Sequence, residues 1–172
     1  MEQNKRFIVA SDFHGSVTAL ENFLDLAKFY KADKLILLGD IFGIDSSIMV
    51  EKLNKVADKL TIIRGNNDCY FESPEAEFDI FNTTYENING RITYLCHGNR
   101  LNDLDLQSYG AKIILQGHVH RPFIFKEQGV IRICPGSLSV PRHGTPKCFA
   151  LIDEEKIKIL TLDGNLVDET SY

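Results

Sequence analysis

The chain has 172 residues, of which 44% are hydrophobic and 25% charged, values that suit one folded globular domain over 1–172 and exclude a largely disordered chain. A formal net charge of −5 argues against broad capture of polymeric nucleic acid or an anionic membrane, since both need a basic surface, although a single nucleotide or small phosphoester stays open. No apolar run approaches the roughly 18 residues of a membrane span, residues 1–7 lack the apolar core of a signal peptide, and the four cysteines form no CxxC pair, so the expectation is a cytoplasmic protein with buried free thiols and no thiolate zinc site.

In chain order, Arg6–Ser11 reads as a buried strand that delivers Asp12-Phe13-His14 and then Gly15. Thr18 and Glu21 have capping-box spacing, and Leu20, Phe23, Leu24, Ala27 and Tyr30 recur on one face, so a helix is expected there. Lys34–Asp40 is a short apolar run ending in Gly39 and Asp40, the pattern of a strand covered on both faces inside a parallel sheet. Asp45 or Ser46 is set to cap a second helix whose buried face uses Ile48 or Met49, Leu53 and Val56. Lys59–Arg64 is the third strand of this βαβ pattern and ends in Gly65-Asn66-Asn67-Asp68. Right-handed crossovers then bring Asp12, Asp40 and Asn66 to one rim.

Beyond Asp68 the pattern changes. Ser73-Pro74-Glu75 predicts a short helix start, and Asn89-Gly90 predicts a type I′ hairpin joining Thr83–Ile88 to Arg91–Cys96, which leads into His97-Gly98. A short helix is expected near Leu104–Tyr109, stopped by Gly110, before Lys112–Gln116 runs into Gly117-His118-Val119-His120. Strands at Phe123–Lys126, Val130–Cys134, Cys148–Ile152 and Lys156–Leu162 are expected to complete a second, more antiparallel sheet. The fold class is therefore α/β, with two packed mixed sheets flanked by helices.

Four of the five histidines lie where apolar runs end. An Asp at the carboxyl end of a parallel strand stands where ligands bind in open α/β sheets, so Asp40 is read as a carboxylate bridging two metal ions. Its expected co-ligands are Asp12, His14, Asn66, His97, His118 and His120. Each stretch alone is weak, since an Asp there often caps a helix and a lone His is more often a satisfied buried side chain; the combination, with Gly15, Gly39, Gly65, Gly98 and Gly117 adjoining the ligands, carries the reading. Imidazole, carboxylate and amide donors without thiolate suit Mn²⁺, Fe, Co²⁺, Ni²⁺ or Zn²⁺ better than Ca²⁺. Position 14 is His, which removes an Asp-x-Asp aspartyl nucleophile, and neither a Walker loop nor GxGxxG is present.

The ordered set Asp12-Phe13-His14, Gly39-Asp40, Gly65-Asn66-Asn67-Asp68, His97-Gly98 and Gly117-His118-Val119-His120 resembles the calcineurin-like metallophosphoesterases. With Pro135-Gly136-Ser137, it is similar to their small single-domain YfcE-type phosphodiesterases. The resemblance implies an αββα sandwich and a manganese-dependent phosphodiesterase. One metal would use Asp12, His14, Asp40 and His120, and the second Asp40, Asn66, His97 and His118. A hydroxide bridging the two would attack in line on a small phosphodiester or nucleotide-like substrate. Asp40 and Asn67 are the candidate catalytic positions, although at Asn67 the wider family usually has His and YfcE-type members often have Cys. Asn67, Asn99 and Arg142 are candidate substrate contacts; Arg121 and Arg142 serve equally well as solvated surface, and His143 has no assigned role. A homo-oligomer is compatible with the sequence. The rival reading is a non-catalytic protein-interaction scaffold, because a retromer subunit resembles the same fold.

Overall fold

The computed structural model describes residues 5–44 and 46–172. In chain order its elements are β1 (Phe7–Ala10), α1 (Val17–Phe29), β2 (Lys34–Leu37), α2 (Ser47–Asn54), β3 (Leu60–Ile63), β4 (Ile80–Phe81), β5 (Thr83–Ile88), β6 (Arg91–Cys96), β7 (Ile113–Gln116), β8 (Pro122–Glu127), β9 (Val130–Pro135), β10 (Cys148–Ile152), β11 (Lys156–Thr161) and β12 (Leu166–Ser171), with short 3₁₀ turns between some of them. One sheet is ordered β12-β11-β10-β1-β2-β3-β4 and the other β5-β6-β7-β9-β8. β1 to β4 run parallel, and β10 joins β1 antiparallel. In the second sheet β6, β7 and β9 are parallel, with β5 and β8 antiparallel at the edges.

The alternation of side chains along a strand explains the layering. Ile8 and Ala10 of β1, with Leu35 and Leu37 of β2, face a cluster completed by Leu20 and Phe23 of α1 and Met49 and Leu53 of α2. Phe7, Val9, Ile36 and Leu38 point the other way, into a cluster shared with Leu95, Ile113, Leu115 and Ile133 of the second sheet. The first sheet is thus covered on both faces, as continuous apolar runs require. A 3₁₀ turn at Leu106–Tyr109, capped by Asp105 and ended by Gly110, covers the outer face of the second sheet with Cys96, Ile114 and Val130.

Several local expectations are corrected. α1 begins two residues earlier than the Thr18 capping box implies, because the Ser16 hydroxyl already accepts from the Ala19 N–H. Ser46 precedes α2, but its hydroxyl is held in the Gly43 turn instead of capping; the alternative cap, Asp45, lies outside the described residues. Of Ile48 and Met49, Met49 is the buried one. Ser73-Pro74-Glu75 forms a turn, closed by Ala76 N–H on the Ser73 carbonyl, and no helix follows. Cys148–Ile152 and Lys156–Leu162 do not complete the second sheet: β10 and β11 extend the first beside β1. All five residues of β10 are buried, as its place beside β1 in a sheet covered on both faces requires. At the Asn89-Gly90 hairpin both residues have positive φ, 50° and 84°, as type I′ demands.

Because both large clusters are apolar and bury without any ion, chelation is expected to leave the sheets in place. Far-UV circular dichroism of the EDTA-treated protein should match that of the untreated protein at 25 °C, and global unfolding would contradict this packing account.

Candidate metal centre

The carboxyl ends of β1, β2 and β3 and of β6 and β7 meet on one rim. The loops there are laced by backbone bonds: Asp12 N–H to the Gly39 carbonyl (3.0 Å), His14 N–H to Asp40 (2.8 Å) and Gly15 N–H to Ile41 (2.9 Å). On this rim Asp12, His14, Asp40, His118 and His120 have φ of 58°, 48°, 52°, 71° and 57°. Left-handed backbone at residues other than glycine is uncommon and costs about 1–3 kcal/mol each, and such strain clusters at functional sites. Gly65 passes so close to Asp40 that any side chain there would strike the Asp40 N–H and carboxylate.

Asp12, His14, Asp40 and His120 have ligand atoms within 4.8 Å of one another. Asp12 is fully buried, and its Oδ1 has no hydrogen-bond partner although His120 Nε2 lies 3.2 Å away. His120 Nδ1–H donates to the Val140 carbonyl at 2.6 Å, so in the neutral ring Nε2 presents a lone pair to a lone pair. His14 Nε2 approaches His120 Nε2 at 3.1 Å and stands 3.8 Å from Asp40 Oδ2. Beside this group His97 Nδ1–H donates to the Leu38 carbonyl (2.7 Å), turning Nε2 toward Asn66 Oδ1 (3.1 Å) and Asp40 Oδ2 (3.4 Å). The His118 ring is edge-on to His97 with centroids 5.1 Å apart, and the His118 backbone N–H donates to Asp12 Oδ2 at 3.0 Å. Carboxylate, imidazole and amide atoms converging around shared space, with the buried Asp12 Oδ1 left orphaned, fit a divalent cation.

The charges agree with that fit. Burial pushes the Asp40 carboxyl up, yet hydrogen bonds from His97 and from the Asn67 backbone and side chain outweigh it and hold Asp40 well below the usual carboxylate range. Burial raises Asp12, against the Ser11 hydrogen bond and the His97 and His120 charges. For His97, burial is outweighed by the Asp40 hydrogen bond and the net shift is upward, whereas burial and the nearby His97 lower His118.

The remaining expected residues separate. Asn67 donates its N–H to Asp40 Oδ1 (2.8 Å) and its amide to Asp40 Oδ2 (2.6 Å), leaving one amide hydrogen free. Asn99 lines a cavity against Asn66 and His97. Arg142 is exposed, its N–H on the His120 carbonyl, and Arg121 is exposed as well. Burial pushes the Cys96 and Cys134 thiols up to about 12 and Cys148 up to about 11, but Cys69 is exposed, contrary to expectation.

Sequence reasoning missed three supports. Asp68, fully buried, accepts the N–H groups of Ile41, Phe42 and Gly65 and so clamps the Asp40 loop to the Asn66 loop. Ser137 and Ser139 both donate to the Asp12 carbonyl, at 2.7 and 2.8 Å. A third acidic residue directly after Asn66-Asn67 was the available signal for Asp68; nothing local marked the serines.

Residues 6–156 match the family described as the calcineurin-like phosphoesterase superfamily domain, and the chain belongs to that family. It is 26% identical over 170 residues to the phosphodiesterase YfcE of Escherichia coli (strain K12), covering 92% of each chain. A solved structure of YfcE, described as a phosphoesterase from E. coli, superposes with a TM-score of 0.86 over 96% of this chain and 98% of that one. Vacuolar Protein Sorting 29 from Cryptosporidium parvum shares the fold at 19% identity, with a TM-score of 0.73 over 98% and 99%.

Replacing the Asp68 carboxylate by an amide would aim an N–H at backbone N–H donors. Asp68→Asn is expected to cost about 2–3 kcal/mol in urea unfolding and to lower metal uptake, although Asp68 is no ligand candidate. Unchanged stability would show that the clamp is dispensable.

Proposed function

We propose that this chain, as a calcineurin-like phosphoesterase, hydrolyses small phosphodiesters at two divalent transition-metal ions. Asp12, His14, Asp40 and His120 would hold one ion, and Asp40, Asn66, His97 and His118 the other, with manganese the proposed metal and Ni²⁺, Fe, Co²⁺ or Zn²⁺ compatible with the same donors. When bound, such a pair supplies an acidified water and Lewis-acid stabilisation of the phosphoryl oxygens for in-line displacement. The observation carrying the reading is the orphaned Asp12 Oδ1 among converging imidazole nitrogens. Free cysteines agree with a reducing compartment such as the cytoplasm, and no helix among the described residues is long and apolar enough to cross a membrane.

The chain's own residues prepare the site. Leu38 and Val140 carbonyls fix the His97 and His120 rings with Nε2 inward, and Asn67 holds both oxygens of Asp40. His14, with 28% of its side chain exposed, marks the open side. Water oxygen bonds to phosphorus as the P–O bond to the leaving group breaks, and the departing oxygen needs either a proton or its own stability as an anion. Asn67 has no acidic proton to give. Its free amide hydrogen suits a phosphoryl oxygen instead. The same fold in Vacuolar Protein Sorting 29 supports a scaffold reading by shape alone, and that reading predicts no turnover.

Metal analysis and bis-p-nitrophenyl phosphate hydrolysis test the proposal together. About two transition-metal ions per chain and EDTA-sensitive turnover are expected, with Asp40→Asn losing more activity than His14→Ala; a protein that takes up no transition metal at neutral pH overturns it. The rate is also expected to fall steeply as leaving-group pKa rises. Asn67→His should accelerate alkyl esters by about 10²- to 10⁴-fold while leaving nitrophenyl esters little changed. Similar wild-type rates on both classes, with chemistry limiting, would place the acid elsewhere.

A further inference from the structure

Two cavities open on either side of the centre, and they differ in charge. The one against Asn66 and His97, of about 490 Å³, is lined by Arg64 and Arg100 and, among the described residues, by no Asp or Glu. The other, of about 510 Å³, abuts Asn67 and is lined by Glu72 and Glu75 and by no Lys or Arg. In a chain with 24 acidic and 19 basic residues, a cavity with two guanidinium groups and no carboxylate runs against the surface average.

The cationic side is built from donors left free. Arg64 Nη1 spends itself on the Asp68 and Phe71 carbonyls (2.7 and 3.3 Å), which fixes its position while leaving its charge without a carboxylate. The turn closed by Leu101 N–H on the Gly98 carbonyl (3.2 Å) presents Asn99 and Arg100. Among the described residues the side chains of Asn82, Asn99 and Arg100 have no partner, and all three line this one cavity. Arginine is suited to carboxylate and phosphate through paired, charge-assisted hydrogen bonds.

Resting on the phosphodiesterase reading, we propose that the site distinguishes the two ester substituents of its substrate by charge. The substituent beside Asn66 and His97 carries a second anionic group, a carboxylate or a phosphate, received by Arg100 with Asn99. Glu72 and Glu75 repel that group from the opposite cavity. The substrate class is an asymmetric phosphodiester with at least two negative charges.

The test uses p-nitrophenyl phosphodiesters that share one leaving group and differ in the other substituent: choline, ethyl, 2-carboxyethyl or 2-phosphoethyl. In the manganese-loaded wild type, kcat/KM is expected to be about tenfold higher for the anionic substituents than for choline, with the ratio shrinking at 1 M salt. Whichever anionic arm ranks first identifies the source of the charge. Arg100→Glu should invert the order, and because each ratio is taken within one variant, a general loss of activity leaves it unmoved. Calorimetry of 2-carboxyethyl against ethyl methylphosphonate gives a second readout, with about tenfold tighter binding expected and lost in Arg100→Gln. Ratios within twofold in the wild type, or an order that Arg100→Glu leaves intact, overturn the inference. If none of the four esters is hydrolysed, the phosphodiesterase reading fails, and calorimetry alone decides whether the cavity takes anions.

Discussion

The structure depends on the carboxyl ends of its two sheets meeting at the rim. His97, at the end of β6, donates to the Leu38 carbonyl beyond β2, and His118, beyond β7, gives its N–H to Asp12 beyond β1. Gly117 makes the approach possible, because a side chain there would collide with Ser11 and the Leu38 carbonyl. Elsewhere the sheets are separated by a layer of Leu and Ile side chains. Where they touch, the first sheet contributes Asp12, His14, Asp40 and Asn66 and the second His97, His118 and His120, so neither sheet alone could assemble the centre.

That contact accounts for the strain. Strands entering from two sheets must turn their ligands inward within two or three residues, which left-handed backbone at Asp12, His14, Asp40, His118 and His120 achieves. Together those residues cost several kcal/mol, a large share of a domain's net stability of about 5–15 kcal/mol. The offset comes from groups outside the ligand set. Asp68 binds three backbone N–H groups, Ser137 and Ser139 hold the Asp12 carbonyl, and the loops after β1 and β2 exchange backbone bonds. Preorganisation of this kind leaves the ligands little freedom to lose when a cation arrives.

How much of this was legible depended on whether the signal was local. The run at Lys34–Asp40 announced a strand buried on both faces, and Asn89-Gly90 announced its own turn. Allocation by chain order misled at Cys148–Ile152, and burial alone could not have decided its sheet, since β7 of the second sheet is buried throughout just as β10 of the first is. β12 was invisible because it is an edge strand with mostly exposed residues and no apolar alternation. The candidate ligands stood out through residue type and position at strand ends. Their supports did not, because Ser137 and Ser139 act across more than 120 residues of chain, and a buried Asp reads like any other Asp.

Asn67 shows how one position links these layers. Its two donors grip both oxygens of Asp40, the carboxylate whose burial must be compensated if it is to stay ionised. A His at this position could hold the carboxylate by one ring N–H or present a proton toward a leaving group, but a single imidazole cannot do both with the same nitrogen. Asparagine settles the choice in favour of the carboxylate and gives up acid assistance. If the site hydrolyses phosphodiesters as proposed, its rate advantage would come from placing the ester correctly and stabilising charge on the phosphoryl group. Placement in turn needs contacts away from phosphorus, since a small phosphodiester offers few atoms to hold. The Arg100 guanidinium and the Asn82 and Asn99 amides, without partners among the described residues, are the donors lining the cavity where such a remote group would lie. On the proposed reading, the absent proton donor at Asn67 and the cationic cavity beside Asn66 belong together, because orientation by a distant charge would take the place of acid catalysis at the departing oxygen.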